Sequence, residues 1–237
     1  MSERFLRNEM LLGAEAVEKL KNSSVAVFGL GGVGSWCAEA LCRSGVGHIT
    51  VIDQDTVGES NINRQLCALG SSIGKPKALV MAERLRDINP EAEIIPLIAR
   101  YEAGDREFFF NNDYDYIVDC IDLVACKLDL IETAVARGVP IISSMGMGNK
   151  KDAELLIITD ISKTEGCPLA RVMRRELRKR GIKNLTVVCS GEIPMVPEDV
   201  EEPPPGRRTV PGSLVWVTAT AGMLLCSHVV TRLAGIE

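Results

Sequence analysis

Alternating runs of apolar and polar positions predict a chain in which β-strands and α-helices follow one another. Short apolar or β-branched runs, typical of strands, occupy 25–28, 49–52, 92–98, 116–120, 139–143, 155–158 and 185–189. Amphipathic spacing predicts helices over 8–21, 33–44, 77–88, 124–137 and 165–180. Because strands that alternate with helices form parallel sheets covered on both faces, the pattern predicts an α/β fold. We expect one Rossmann-like, mostly parallel sheet in a single domain over residues 1–237.

Two segments near the carboxyl terminus differ from this pattern. Residues 194–211 contain six prolines beside a group of acidic residues. Because proline removes backbone donors and restricts the preceding residue, an irregular, mobile loop is predicted there. The next segment, 212–234, is predicted to be an apolar helix, and it has no charged residue from 212 to 230. That stretch is about long enough to span a bilayer, but its polar side chains are costly in lipid. A core or dimer-interface helix is therefore favoured over membrane contact.

A glycine-rich turn between the first predicted strand and the next helix is the first candidate site. Its glycines are Gly29, Gly31, Gly32 and Gly34. Glycine lets a backbone approach phosphates, and the N-terminus of the following helix offers unpaired N–H groups. Asp53 lies nineteen residues after Gly34, at the end of the next strand, where a carboxylate can bind ribose hydroxyls. These two features alone favour a nicotinamide or flavin enzyme.

Polar and charged residues beyond Asp53 favour ATP over a dinucleotide. They are a second aspartate, two amides, an arginine and a lysine: Asp55, Asn61, Gln65, Arg64 and Lys77. A triphosphate requires such cations because negative charge accumulates on its oxygens during transfer. An NAD-dependent oxidoreductase has no use for this set, so it becomes the weaker hypothesis.

Five motifs in order make the sequence similar to the E1-like adenylating enzymes, the superfamily of ThiF, MoeB and the ubiquitin-activating enzymes. They are GLGGVGS at 29–35, IDQDTV at 52–57, SNINRQ at 60–65, GKPK at 74–77 and VDCID at 118–122. The resemblance implies an E1-like adenylation fold that uses ATP. It places Asp53 on the ribose, Asp122 on Mg²⁺, and four residues around the phosphates: Asn61, Arg64, Gln65 and Lys77.

The same resemblance implies a homodimer. Arg7, in RFLRNEM, matches an N-terminal arginine that reaches into the neighbouring subunit's site in this superfamily. The predicted catalytic residues are thus Arg7, Arg64, Lys77 and Asp122. Leu123 stands where the superfamily usually has asparagine, which removes a secondary contact. No zinc is expected, because the CxxC pairs of MoeB-type members are absent.

Within the superfamily, the resemblance extends furthest to a branch that modifies tRNA. The matching phrases are GGVGSWCAEAL at 31–41, KALVMAERLRDINPE at 77–91, PLARVMRREL at 168–177 and VTATAGMLLCSHVV at 217–230. Members of that branch use ATP to activate the carboxylate of threonylcarbamoyladenosine in tRNA, and ring closure then expels AMP. The implied activity is ATP-dependent dehydration of that nucleoside, an AMP-forming, ligase-type reaction. The alternative is adenylation of the C-terminal glycine of a sulfur-carrier or ubiquitin-like protein.

A basic segment supports an RNA partner, although the net charge of −5 gives no global case for one. Seven arginines and lysines lie between 171 and 183, opposed by a single glutamate, a pattern typical of binding to a phosphate backbone. A solvated charged helix face is the alternative interpretation. The residues predicted to bind tRNA are Arg171, Arg174, Arg175, Arg178 and Lys179.

Eight cysteines without a CxxC pair indicate reduced thiols and a cytoplasmic location. Cys189 lies just before the proline-rich segment, where some members of the superfamily carry a reactive cysteine. A buried structural thiol is the favoured interpretation, because ring closure requires no protein nucleophile. A sulfur-transfer protein is a further candidate partner.

Overall fold

A computed structural model describes residues 3–196, 198 and 211–236. Its strands are β1 Ser24–Phe28, β2 His48–Ile52, β3 Glu93–Leu97, β4 Tyr116–Asp119, β5 Ile141–Ser144, β6 Leu156–Asp160 and β7 Thr186–Ser190. Its α-helices are α1 Leu6–Leu12, α2 Ala14–Lys21, α3 Gly34–Arg43, α4 Lys77–Ile88, α5 Arg106–Phe109, α6 Val124–Arg137, α7 Pro168–Lys179 and α8 Val215–Ala234.

The strands form one seven-stranded sheet in the order β3-β2-β1-β4-β5-β7-β6. Every neighbouring pair is parallel except β6 and β7, which are antiparallel. Parallel neighbours require a crossover that is usually a helix, and the link from β5 to β6 contains none. β6 therefore begins at the edge of the sheet where β5 ends, and it runs antiparallel to its neighbour β7. The predicted α/β, mostly parallel sheet is confirmed.

Helices cover both faces of the sheet and enclose two apolar cores. In β1, Val25 and Val27 belong to the core beneath α2, α3, α4 and α8, whereas Ala26 and Phe28 belong to the core beneath α5, α6 and α7. Successive side chains of a strand point to opposite faces, so a central strand buried on both faces is apolar throughout. This explains why the strands lack polar alternation.

Some predicted boundaries were wrong. The single helix predicted over 8–21 is two helices, α1 and α2, separated by Gly13, whose φ of 87° is readily adopted only by glycine. The basic helix begins at Pro168 rather than at 165, because proline suits the first turn, where no N–H partner is required. The short helix α5 was not predicted.

The C-terminal helix α8 packs one face against α3. A Cβ atom at Gly222 would lie 2.6 Å from the Val33 carbonyl oxygen and 2.9 Å from Trp36 Cβ, so glycine permits the close approach of the two helices. The opposite face exposes Trp216 and Met223. By length and composition α8 could cross a membrane, and half of its most apolar window is buried inside this structure. The proline-rich segment predicted at 194–211 lies mostly outside the described residues.

Candidate functional site

A cavity of about 1130 Å³ opens at the carboxyl ends of the central strands. In open parallel sheets this edge is where ligands bind. Of the residues predicted at the site, ten line the cavity: Gly29, Gly31, Gly32, Asp53, Asp55, Asn61, Arg64, Gln65, Lys77 and Asp122. Gly34 and Arg7 do not line it.

The glycines of the turn after β1 have different roles. Gly29 has a φ of 90° and lies so close to Cys120 that an added Cβ would be 2.8 Å from that residue's carbonyl oxygen. At Gly34, an added Cβ would lie 1.8 Å from the Gly29 carbonyl oxygen. Gly34 therefore allows α3 to pack against the turn rather than contacting a ligand. A Cβ at Gly31 would meet nothing within 4 Å, which leaves this backbone open to an approaching phosphate.

The carboxylate of Asp53 is fixed by two backbone N–H groups. Leu30 N donates to Oδ2 at 2.7 Å and Asp55 N donates to Oδ1 at 2.8 Å. Each carboxylate oxygen can accept more than one hydrogen bond, so both oxygens retain capacity for ribose hydroxyls. The turn after β1 and the end of β2 are thereby joined at the floor of the cavity.

Of the cationic side chains that line the cavity, Lys77 and Arg64 are the two that the sequence predicted, and each is held by neighbouring oxygens. Lys77 is buried, and its Nζ lies 3.1 Å from Asp55 Oδ2. Arg64 donates from Nη1 to Ser60 O and to Asn63 Oδ1, both at 2.8 Å. Gln65 is buried beside them, and Asn61 accepts from Gly58 N through Oδ1 at 3.1 Å. These contacts restrict the rotamers of the cations and pre-organise them for an anionic ligand.

A fully buried ion pair lies beneath the loop that carries Asp122, and the sequence analysis did not identify it. Lys127 Nζ is 2.9 Å from Asp119 Oδ2 and donates to Ile121 O at 3.1 Å. Asp119 also accepts from Ser143 Oγ at 2.7 Å and from Ile121 N at 3.1 Å. The network fixes the backbone next to Asp122, whose side chain is exposed in the cavity. Lys127 lies within an otherwise apolar helical pattern, a signal that could have revealed it.

Replacing Lys127 by methionine is expected to lower the free energy of unfolding by about 3–5 kcal/mol, because it leaves a buried carboxylate unpaired. Equilibrium unfolding in urea measures this loss. Lys21→Ala is the matched control, since its pair with Glu91 spans 3.8 Å and both side chains are exposed; exposed pairs contribute little. A loss for Lys127→Met no larger than that of the control would contradict the role given to this pair.

Asn149 is a second residue that the sequence analysis missed. It is the one non-glycine residue with positive φ, 60°, in the described part of the chain, a strained conformation that marks functional loops. Its Oδ1 accepts from Gly212 N at 2.6 Å, and its backbone pairs with Gly212 and Met195. Asn149 thus joins the loop after β5 to Met195, near the start of the proline-rich segment, and to Gly212, which follows that segment. Asn149 and Gly212 line the cavity, and Met195 follows Pro194, which also lines it.

The basic residues of α7 differ in their surroundings. Arg174 is half-buried and donates from Nη1 to Thr164 O at 2.6 Å and to Thr164 Oγ1 at 2.7 Å, so it fastens α7 to the preceding turn. Arg175 and Lys179 are exposed and pair with Glu176. Arg171 and Arg178 are exposed, and no carboxylate among the described residues is paired with either. The buried stripe of α7 is Ala170, Met173 and Leu177.

The thiols and carboxylates of the described residues are the candidate ligands for a metal centre. All eight cysteines are free, and Cys189 is buried. Among the residues that the structure describes, no group of three or more histidine, cysteine, aspartate or glutamate side chains could hold a metal ion.

The fold, the glycine turn and the charged cavity together define a nucleotide-binding protein of the adenylating type. The chain belongs to the ThiF family, whose model matches residues 5–237. It is 45% identical over 242 residues to the tRNA threonylcarbamoyladenosine dehydratase of Bacillus subtilis, covering 98% of this chain and 95% of that protein. The resemblance to E1-like enzymes is confirmed.

Solved structures agree with this assignment. The Escherichia coli tRNA N6-threonylcarbamoyladenosine dehydratase, TcdA, in complex with ATP is 34% identical to the chain, with a TM-score of 0.89. The match covers 98% of this chain and 94% of that one. The same enzyme in complex with AMP gives the same TM-score, identity and coverage.

Proposed function

We propose that the protein is an ATP-dependent tRNA threonylcarbamoyladenosine dehydratase. The observation that carries the proposal is the cavity, in which a glycine turn, Asp53, the cations Arg64 and Lys77, and Asp122 surround a space large enough for ATP. The similarity to dehydratases over nearly the whole chain supports the substrate. The complexes of such an enzyme with ATP and with AMP support the cofactor.

Three side chains of the cavity, together with the glycine backbone, are assigned tasks in ATP binding. Asp53 accepts from the ribose hydroxyls, while the backbone at Gly31 and Gly32 lies along the phosphates. Arg64 and Lys77 neutralise the phosphate oxygens, where charge accumulates as the α-phosphorus is attacked. Lys77 and Arg64 are already oriented by Asp55 and Ser60, so little reorganisation is required when ATP binds.

Magnesium fits the residues that are present. Mg²⁺ is usually held by one or two carboxylates together with substrate phosphates and water, and Asp122 supplies an exposed carboxylate in the cavity. When bound, the ion would neutralise phosphate charge. The buried Lys127–Asp119 pair orients the Asp122 loop whether or not the ion is bound.

The reaction has two steps. An oxygen of the threonyl carboxylate attacks the α-phosphorus of ATP; a P–O bond forms, the bond to the β-phosphate breaks, and pyrophosphate leaves. A nucleophile of the same nucleoside then attacks the acyl carbon, the bond to AMP breaks, and the nucleophile loses its proton. The nucleoside has lost the elements of one water. Ring closure is intramolecular and gains the advantage of proximity, so no protein thiol is required.

The exposed arginines of α7 are proposed to bind the phosphate backbone of tRNA. Replacing Arg171 and Arg178 by alanine is expected to weaken tRNA binding and to lower the slope of log K against log salt by about 2, one for each lost contact. Filter binding over a salt series measures this. Lys19→Ala/Lys21→Ala is the control because it removes the same charge from α2. Equal slopes in the two double variants would place the RNA surface elsewhere.

A homodimer and a cytoplasmic location complete the proposal. Arg7 is exposed on α1 and does not line the cavity of its own chain, which fits an action in the site of a second subunit. Eight free thiols suit a reducing compartment. A sulfur-transfer protein is a further proposed partner, and retention of such a protein by the immobilised chain in a pull-down would support it.

A further inference from the structure

Two cysteines that the proposed reaction does not use meet at the wall of the ATP cavity. Cys167 immediately precedes α7 and lines the cavity beside Gly146 and Leu169. Cys189 is the penultimate residue of β7, is buried, and belongs to the same apolar core as Cys167. The two chain segments touch, because a Cβ atom at Gly166 would lie 2.7 Å from the Gly191 carbonyl oxygen. We propose that Cys167 and Cys189 form a redox-sensitive pair, in which a hydroperoxide oxidises Cys167 and Cys189 then closes a reversible disulfide.

The surroundings of Cys167 favour its ionised form. Cys167 is the N-cap residue of α7, a helix of twelve residues, whose N-terminus stabilises an anion. The thiol of Cys189, the Ala170 N–H and the charge of Lys150 all act on the Cys167 sulfur and, against the opposing effect of burial, lower its pKa. Lys150 is itself buried and donates from Nζ to Ser190 O at 3.2 Å. Low-pKa thiolates beside cations are the thiols that react with oxidants.

Cys189 has the opposite character, which suits a resolving thiol. Interaction with Cys167 and burial raise its pKa, so it keeps its proton while Cys167 is ionised. Burial raises the pKa of Cys42, Cys67 and Cys226 to about 11 and that of Cys120 to about 12, so these four thiols ionise less readily than Cys167. We expect oxidation to select Cys167 over them, and Cys167 borders the cavity through which a small peroxide can enter.

The chemistry balances with hydrogen peroxide as the oxidant. The Cys167 thiolate attacks one peroxide oxygen; an S–O bond forms, the O–O bond breaks, and hydroxide leaves as water after protonation. The Cys189 sulfur then attacks the sulfenic acid; an S–S bond forms, the S–O bond breaks, and water leaves with the Cys189 proton. In sum, two thiols and one peroxide give one disulfide and two waters. A dithiol reductant reverses the change.

Disulfide formation is expected to disturb the cavity. The S–S bond is only about 2.05 Å long, so we expect the first turn of α7, which follows Cys167, to shift when the bond forms. This turn contacts the loop after β5, where Cys167 Sγ lies 3.9 Å from Gly146 O. Displacements near 1 Å around reacting groups can slow a reaction by up to about 100-fold. We expect AMP formation to fall by roughly 10- to 100-fold on oxidation; this effect rests on the proposed function, whereas the disulfide does not.

The test treats the full-length protein with hydrogen peroxide, blocks the remaining thiols with an alkylating reagent, and maps cross-linked peptides by mass spectrometry. The expected result is loss of two thiols, a Cys167–Cys189 linkage, and recovery of both thiols with dithiothreitol. In Cys189→Ser, Cys167 should instead be trapped as a sulfenic acid by dimedone. Cys42→Ala, far from the pair, should still form the linkage. Retention of all thiols, or equal thiol loss in Cys167→Ala, would overturn the proposal.

A second readout separates the pair from the proposed activity. AMP formation by the oxidised protein should fall and recover with dithiothreitol, and Cys42→Ala should lose and recover activity in the same way. Linkage with unchanged AMP formation would overturn the regulatory effect of the disulfide. If the reduced protein forms no AMP, the proposed function fails, while peptide mapping still decides on the thiol pair.

Discussion

Replacing Arg64 by alanine is expected to lower the rate of AMP formation by about 10²- to 10³-fold, because a pre-oriented cation is lost from the phosphates as charge develops. Asp122→Ala should cause a comparable loss through the metal. Release of AMP from ATP, with modified tRNA and Mg²⁺ present, measures both effects. Neither side chain is buried, so the fold should persist.

Two controls make this result specific. Lys21→Ala removes an exposed cation far from the cavity and should leave AMP formation unchanged. Thermal unfolding followed by circular dichroism should give similar melting temperatures for Arg64→Ala, Asp122→Ala and the unmodified protein. Near-normal AMP formation by both site variants would show that ATP is bound elsewhere.

Mixed dimers of Arg7→Ala and Asp122→Ala subunits are expected to recover activity that neither variant has alone. If Arg7 acts in the partner's site, a mixed dimer contains one intact site, built from the Asp122 of one subunit and the Arg7 of the other. Random exchange makes half of the dimers mixed, so activity should reach about one quarter of the unmodified level. AMP formation after mixing, or after co-expression with two affinity tags, measures this recovery.

The alternative outcomes are distinct. Full activity of Arg7→Ala alone would remove this residue from the site. Inactive single variants that stay inactive in purified mixed dimers would place Arg7 in its own subunit's site. The control for subunit exchange mixes each variant with dimers of unmodified protein, because these subunits should exchange at the same rate as the two variants.

Much of this molecule follows from its sequence because the strong signals are local. The glycine turn, the strand that ends at Asp53 and the helix over 77–88 each depend on a short pattern, and the structure brings these segments to one edge of the sheet. Parallel strands require this arrangement once their order is set. The ten predicted residues around the cavity thus come from separate stretches whose meeting point could be anticipated.

Other features depend on tertiary contacts that no local pattern encodes. The direction of β6 is decided by the absence of a crossover helix, and the break at Gly13 by a single backbone conformation. Arg174 belongs to the same basic run as the exposed arginines of α7, but it fastens α7 to the preceding turn, because Thr164 accepts its hydrogen bonds. The pairing of Cys167 with Cys189 joins segments whose spacing in sequence gives no hint of their contact.

The most direct test of the proposed activity is mass spectrometry of nucleosides from tRNA that carries threonylcarbamoyladenosine, after incubation with the protein, ATP and Mg²⁺. The account predicts loss of one water from that nucleoside, with one AMP formed for each nucleoside converted, and no change without ATP. An unchanged nucleoside, with AMP formed only when a sulfur-carrier protein is supplied, would contradict it and favour activation of a C-terminal glycine instead.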